Sequence, residues 1–344
     1  MGRLTKKRTG AFYLTNLLLT VVLFVVLYLL IDGKVLTGRY TTLITLVCVN
    51  VILAVSLNLV TGILGQLVLG HAGFMLVGAY ASALFTKNVG MALPISFPIS
   101  LVLAGLLAAL FGVIIGIPAL RLRGDYLAII TLGFGEIIRV LANADFLKPI
   151  TNGAMGLGDI PPLYNRRTSP AGLFVYAFII MVLVIVINFS FGRSRHGRAV
   201  IAIREDEIAA ESAGVNTTYY KLFAFVLAAF IAGVAGGLYA NQIQVIDPAK
   251  FDFNRSVEIL IMVVLGGMGS ITGSIISATV LTVLPEMLRG FDEYRMLLYS
   301  IILIAVMLFK PSGLLGRYEI SVPGLFMKLW NKLKHPKQKT TGEA

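Results

Sequence analysis

Glu205, Asp206 and Glu207 stand directly before Ile208, Ala209 and Ala210, and Gly214 follows four residues after Ala210. Acids suit the first turn of a helix, where backbone N–H groups lack partners, and glycine suits its end. The run predicts one short amphipathic helix within 197–216, its turn closed by Gly214 and Asn216. Ile208 beside small alanines gives that helix an approachable apolar face, which a groove on another protein can accept. The chemistry this supports is mechanical, the passing of force to a partner; a solvated connector would carry the same pattern.

A second group lies at 58–80, where Gly62, Gly65, Gly70, Gly73 and Gly78 recur and Asn58, Gln66 and His71 supply hydrogen-bonding groups. These three side chains can bind a solute or tie helices together. Glu136 and Arg139, spaced i, i+3, can pair along one helix face, or serve a solute or a gate. Gly266, Gly267, Met268, Gly269 and Ser270 interrupt a long apolar segment. Non-helical backbone at membrane depth is tolerated where protein buries it or water wets it, which makes this break a candidate pathway element. Close helix packing through Gly269-x-x-x-Gly273 is the alternative.

Other chemistries lack their residues. His71 has no His, Asp or Cys near it in sequence, so it forms no metal site. Cys48 is the single cysteine, which removes internal disulfides and thiolate clusters. No Ser/His, Cys/His or paired-carboxylate set qualifies as catalytic. Nor does the chain contain a Gly-x-x-x-x-Gly-Lys-Ser/Thr loop to cradle phosphates. No catalytic role and no cofactor held by this chain is expected.

The elements that position these groups belong in a bilayer. Apolar residues make up 57% of the 344 residues and charged ones 13%, and about 20 apolar residues of helix cross a hydrocarbon core. Spans are predicted at 12–31, 41–60, 66–86, 97–117, 125–143, 171–190, 222–243, 257–287 and 294–309. The fold class is all-α, a polytopic transmembrane helical bundle with about eight full spans and one broken or re-entrant segment, 257–287. A basic N-terminus (1–11), the membrane domain (12–316) and a basic tail (317–344) divide the chain; within the domain an inner loop covers about 192–221 and an outer loop about 144–170. The +12 charge gathers at segment ends and in the tails, which points to the positive-inside bias rather than to nucleic acid and places both termini in the cytoplasm.

Several runs resemble a known family. RLRGDYLAIITLGFGEIIR at 121–139 is very similar to the M-type permease subunit of branched-chain amino acid ATP-binding-cassette importers, as are 197–216, VLGGMGS at 264–270, PEMLR at 285–289 and YRM at 294–296. The inner loop resembles the coupling loop of such permeases, Glu-Ala-Ala, three residues, then Gly. It matches at Ala209, Ala210 and Gly214 and departs at Ile208, the acid standing one residue early as Glu207. The resemblance implies a bacterial or archaeal cytoplasmic-membrane importer for leucine, isoleucine or valine, with a second permease subunit, two ATPase subunits using ATP and Mg, and an extracytoplasmic solute-binding protein. Permeases for urea or short amides look similar, and an ion-coupled secondary transporter is the reading from another class.

Overall fold

The computed structural model describes residues 6–36, 38–89, 92–122, 124–163 and 171–288, with scattered positions between 294 and 319. Helix dominates: α1 (Lys6–Asp32), α2 (Gly38–Asn58), α3 (His71–Asn88), α4 (Leu93–Ala119), α5 (Asp125–Asn143), α6 (Lys148–Thr151), α7 (Gly172–Arg193), α8 (Arg195–Glu205), α9 (Glu207–Ser212), α10 (Thr217–Ile243), α11 (Phe253–Gly266) and α12 (Ile271–Met287). Among the described residues the one pairing of extended backbone is a bridge between Leu157 and Ile246. An apolar surround offers the backbone no water, so each N–H and C=O must find its partner within the helix.

Among the described residues four helical stretches are long and apolar enough to cross a membrane: Gly38–Leu64, Leu93–Ala119, Gly172–Arg193 and Thr217–Ile243. A fifth arises if α5 is taken with the short helices after it, which turn away from it by 85°. The apolar part of α1, Leu18–Asp32, and α12 are shorter. The expected segment 294–309 falls largely outside the described residues.

One expectation is revised and another made definite. The span at 66–86 is helical only from His71. The end of α2 widens into a π-helical turn, Leu59–Leu64, and Gly65 then takes a left-handed φ of 78°, which ends the helix with its N–H on the Val60 carbonyl. The chain runs without regular structure from Gly65 to Gly70, and the Leu69 N–H is taken by Thr131 Oγ1 at 3.1 Å. The segment 257–287 is two antiparallel helices: Ser277 Oγ donates to the Met262 carbonyl, and Gly273 lies backbone to backbone on Gly266. The glycine run is the tip of this hairpin, which makes the segment the broken pair expected there.

The core is α10 packed between α3 and α4. These helices meet with little side chain between them: a Cβ on Gly78 would fall on the Gly233 carbonyl, and one on Gly233 would meet Ala104. Between helices in lipid there is no hydrophobic drive, and close backbone approach supplies the dispersion contact instead. Phe74 and Phe225 fill the remaining space edge to face. A methyl group at Gly78 therefore has nowhere to go, whereas Gly133 on α5 faces open space. Gly78→Ala is expected to lower stability by about 3 kcal/mol and Gly133→Ala to leave it unchanged or raise it by under about 1 kcal/mol; unfolding midpoints in detergent check the contrast.

Candidate functional site

The loop between α7 and α10 folds as two helices where one is expected. Ser194 caps α8, accepting the Gly197 N–H at 3.0 Å. Asp206 then stands in extended backbone, φ −156° and ψ 110°, and caps α9 by accepting the Ala209 N–H at 3.0 Å. An aspartate that bonds its own following turn competes with helix continuation, which splits the run at that residue. The three acids thus take separate posts. Glu205 ends α8 and pairs with Arg204 at 2.6 Å; Asp206 is the joint; Glu207 reaches Lys221 of α10 at 2.6 Å.

This arrangement accounts for the early acid. Glu207 turns inward to a lysine whose side chain is only 5% exposed, and Ile208 is left 70% exposed at the surface. Ala209 is exposed with it and Ala210 is buried. Gly214 closes the helix with φ 82°. Its N–H goes to Glu211 and that of Val215 to the Ala210 carbonyl at 3.0 Å, a Schellman-type end that favours glycine. Asn216 does not end this turn; it caps α10 by accepting the Tyr219 N–H at 3.0 Å.

Beside these helices the end of α2 meets the α11–α12 tip. Asn58 is fully buried, and its Oδ1 accepts the Gly269 N–H at 2.8 Å. A Cβ on Gly62 would fall on the Gly269 nitrogen, so only glycine fits there. Arg204 of α8 closes the group: its Nη1 donates to the Gly62 carbonyl at 2.8 Å. Gly267 and Gly269 both have positive φ, 108° and 91°, which lets the tip turn in four residues. Ser270 caps α12 through the Gly273 N–H at 3.0 Å. Glu319 covers the same helix start, accepting from the Ile271 N–H at 2.7 Å and from Thr272. Of the residues singled out by sequence, Asn58, Gly266, Gly267, Gly269 and Ser270 are brought together here.

The others sit apart from this cluster. His71 is 2% exposed with its Nε2 2.7 Å from Ser56 Oγ. Gln66 lies in the irregular stretch, its Oε1 buried without a partner. Glu136 and Arg139 pair with each other at 2.7 Å, each about one-third exposed, 34% and 30%. Sequence reading missed Arg204, which looked like one more basic residue of the loop, and Arg255. Arg255 spans α11 and α2, donating to Glu258 at 2.9 Å and Asn50 at 2.7 Å. The i, i+3 spacing of Arg255 and Glu258 in an apolar run was the signal available for the second; nothing local signals the first. Far from α8 and α9, a cleft of about 510 Å³ is lined by Lys87, Lys148, Asn152, Met155, Asp159 and Val245, among others.

Residues 39–308 match the family model described as branched-chain amino acid transport system / permease component. The chain belongs to this family. It is 39% identical over 297 residues to the high-affinity branched-chain amino acid transport system permease protein LivM of Salmonella typhimurium, covering 79% of this chain and 68% of that one. The Escherichia coli protein of the same name is 37% identical over the same shares. LivH of Salmonella typhimurium is 29% identical over 300 residues, 80% of this chain and 94% of the relative. No solved structure matches. A permease of this family is a membrane protein and a transport subunit rather than an enzyme, in keeping with the long apolar helices.

The Lys221–Glu207 pair fastens α9 to the permease body. Breaking it by Lys221→Met leaves a carboxylate facing a buried site, which costs about 3 kcal/mol, the low end of the range because Glu207 keeps part of its surface in water. Lys221→Met with Glu207→Leu should recover most of that loss. A double-mutant cycle on unfolding midpoints measures the coupling, and additive effects would show that the pair contributes nothing.

Proposed function

We propose that this chain is the M-type permease subunit of an ATP-driven importer that carries leucine, isoleucine or valine into the cell. The observation that supports it best is α9, held to α10 by the Lys221–Glu207 pair while Ile208 stands 70% exposed. A carrier working alone has no use for an apolar docking helix on the face where basic residues gather. In this reading Ile208, Ala209 and the α9 end at Gly214 enter a groove on an ATPase subunit, and Glu205, Asp206 and Glu207 set the helix at the angle the groove requires. Two such ATPases hydrolyse ATP with Mg, a second permease completes the pathway, and a solute-binding protein delivers the solute from outside. Closure of the ATPase dimer moves α9, and the spans switch access from outside to inside.

Eight full crossings fit this role, with the α11–α12 hairpin as the broken pair. α1, α2, 65–88, α4, α5, α7 and α10 cross in turn; the hairpin returns the chain to its starting side, and 294–309 brings the tail in. Arg121, Arg193, Arg195, Arg198 and Arg204 then share the cytoplasmic face with both termini of a bacterial or archaeal inner membrane, as the positive-inside bias asks. Asn58, Gln66, His71, Glu136, Arg139 and the Gly266–Ser270 tip remain the candidates for lining or gating the pathway. The cleft bearing Lys87 and Lys148 lies on the outer face, where a binding protein docks.

Affinity purification of the tagged chain from its membrane, with ATPase and leucine-uptake assays on the reconstituted product, tests the reading. Recovery of two ATPases and a second permease, with uptake that needs ATP and is competed by isoleucine and valine, is the expected result. Competition by urea or short amides instead would change the solute, and uptake by the chain alone under an ion gradient would overturn the importer. At Gly214 the strain is in the backbone, since a side chain would meet open space. Gly214→Val, forced into left-handed φ at a cost of about 1–2 kcal/mol, should reduce uptake per ATP; Gly214→Asn, which tolerates that region, should stay close to wild type.

A further inference from the structure

We propose that Arg204 is the positioning residue that carries the movement of α9 to the end of α2 and there parts it from the α11–α12 tip. The inference rests on the coupling role proposed for α9. Three observations carry it. Arg204 is the next-to-last residue of α8, two residues before the extended joint at Asp206 that leads into α9, so a pull on α9 is passed to it through the backbone. Its guanidinium spans 142 residues of sequence to hold the Gly62 carbonyl at 2.8 Å. Carbonyls in the last turn of a helix have no intrahelical donor, and a charged donor makes the stronger bond. Its aliphatic stem lies on Gly65, where a Cβ would collide with it.

The other edge of the guanidinium is fixed by Glu205, at 2.6 Å to Nη2 and 3.2 Å to Nε. With its side chain 21% exposed, Arg204 is oriented rather than free to swing. Contact between Gly62 and the Gly269 turn, which the same Arg204 Nη1 borders (3.5 Å from where a Cβ on Gly269 would stand), is of another kind. It consists of backbone against backbone and the single bond from the Gly269 N–H to Asn58 Oδ1 at 2.8 Å. The charge-assisted bond from Arg204 to Gly62 is stronger than the one neutral bond across that seam. When α8 shifts with α9, Gly62 follows Arg204, and the seam between Gly62 and Gly269 is where the bundle opens. A π-helical turn at Leu59–Leu64 suits this use, because its wide, poorly bonded turn yields more readily than α-helix.

The test uses the complete transporter, reconstituted with its partner subunits and binding protein, in a Cys48→Ser, Ile63→Cys background. Ile63 neighbours the seam and is 7% exposed. Leucine uptake per ATP hydrolysed and maleimide labelling of the introduced thiol are measured with and without vanadate trapping. With Arg204 present, labelling should rise on trapping. With Arg204→Ala, hydrolysis should continue while uptake per ATP falls about tenfold and the thiol stays protected in both states. Arg204→Lys, which keeps a charged donor, should restore part of both. Wild-type stoichiometry and labelling in Arg204→Ala would overturn the relay while leaving the importer reading intact, whereas absence of ATP-driven uptake with Arg204 in place would overturn both. If Arg204→Ala does not assemble, Asn58→Ala decides: labelling before ATP is added supports the seam, and full protection with normal coupling rejects it.

Discussion

Gly62 and Gly269 approach backbone to backbone, and a side chain on Gly62 would occupy the same space as the Gly269 nitrogen. Much of the neighbouring structure follows from keeping that contact clear. The end of α2 must present a bare carbonyl and Cα, which the π-helical turn does, and the chain must then leave at once, which Gly65 does by turning left-handed. The next residues climb without helix to His71, with Thr131 and Ser256 taking the N–H groups of Leu69 and Ala72. On the other side, the hairpin tip needs positive φ at Gly267 and Gly269 to reverse within four residues. A buried asparagine, two helix caps at Ser270 and Glu319, and one arginine take up backbone groups at a site where leaving them unpaired would be costly, while Asn58 Nδ2 itself is buried without a partner.

The molecule joins two kinds of helix contact. α10 with α3 and α4 is held through glycine and alanine approaches that leave little play, as close packing without voids transmits displacement rather than absorbing it. α8 and α9 meet that body through buried Val200, Ile203 and Ala210 and through two directed polar bonds, Lys221–Glu207 and Arg204–Gly62. A subunit that converts a partner's movement into a change of access needs both, a stiff body and a small number of defined points at which force enters. The family to which the chain belongs is one of transport permeases, and this division of contacts is what such a subunit requires.

Periodic apolar runs made the helices legible: 125–143 was placed to the residue, and 97–117 and 222–243 lie inside α4 and α10. Depth and direction were not legible in the same way. The run at 66–86 is largely apolar, and hydropathy does not distinguish helix from an irregular stretch such as 65–70, where the Leu69 N–H is taken by Thr131, 62 residues along the chain. The 257–287 segment reads as broken or re-entrant because its glycines mark an interruption without saying whether the chain goes on or turns back. Met262 against Ser277 and Gly266 against Gly273, both non-local, decide that it turns back. The loop helix was seen, but Asp206 looked like a first-turn acid when it is an extended joint. Arg204 was invisible as a site residue because its partner is 142 residues away.

In the proposed relay coupling turns on the seam between Gly62 and Gly269, whose width is directly measurable. Leu67 and Met268 flank it and are 37% and 51% exposed, so both accept spin labels without disturbing the core. In the assembled transporter, with Leu67→Cys and Met268→Cys in a Cys48→Ser background, electron–electron double resonance gives the distance between them at rest and with ATP trapped. Opening at the seam predicts a shift of the distribution to longer distance on trapping. An unchanged distribution in a transporter that is hydrolysing ATP and importing solute would contradict it.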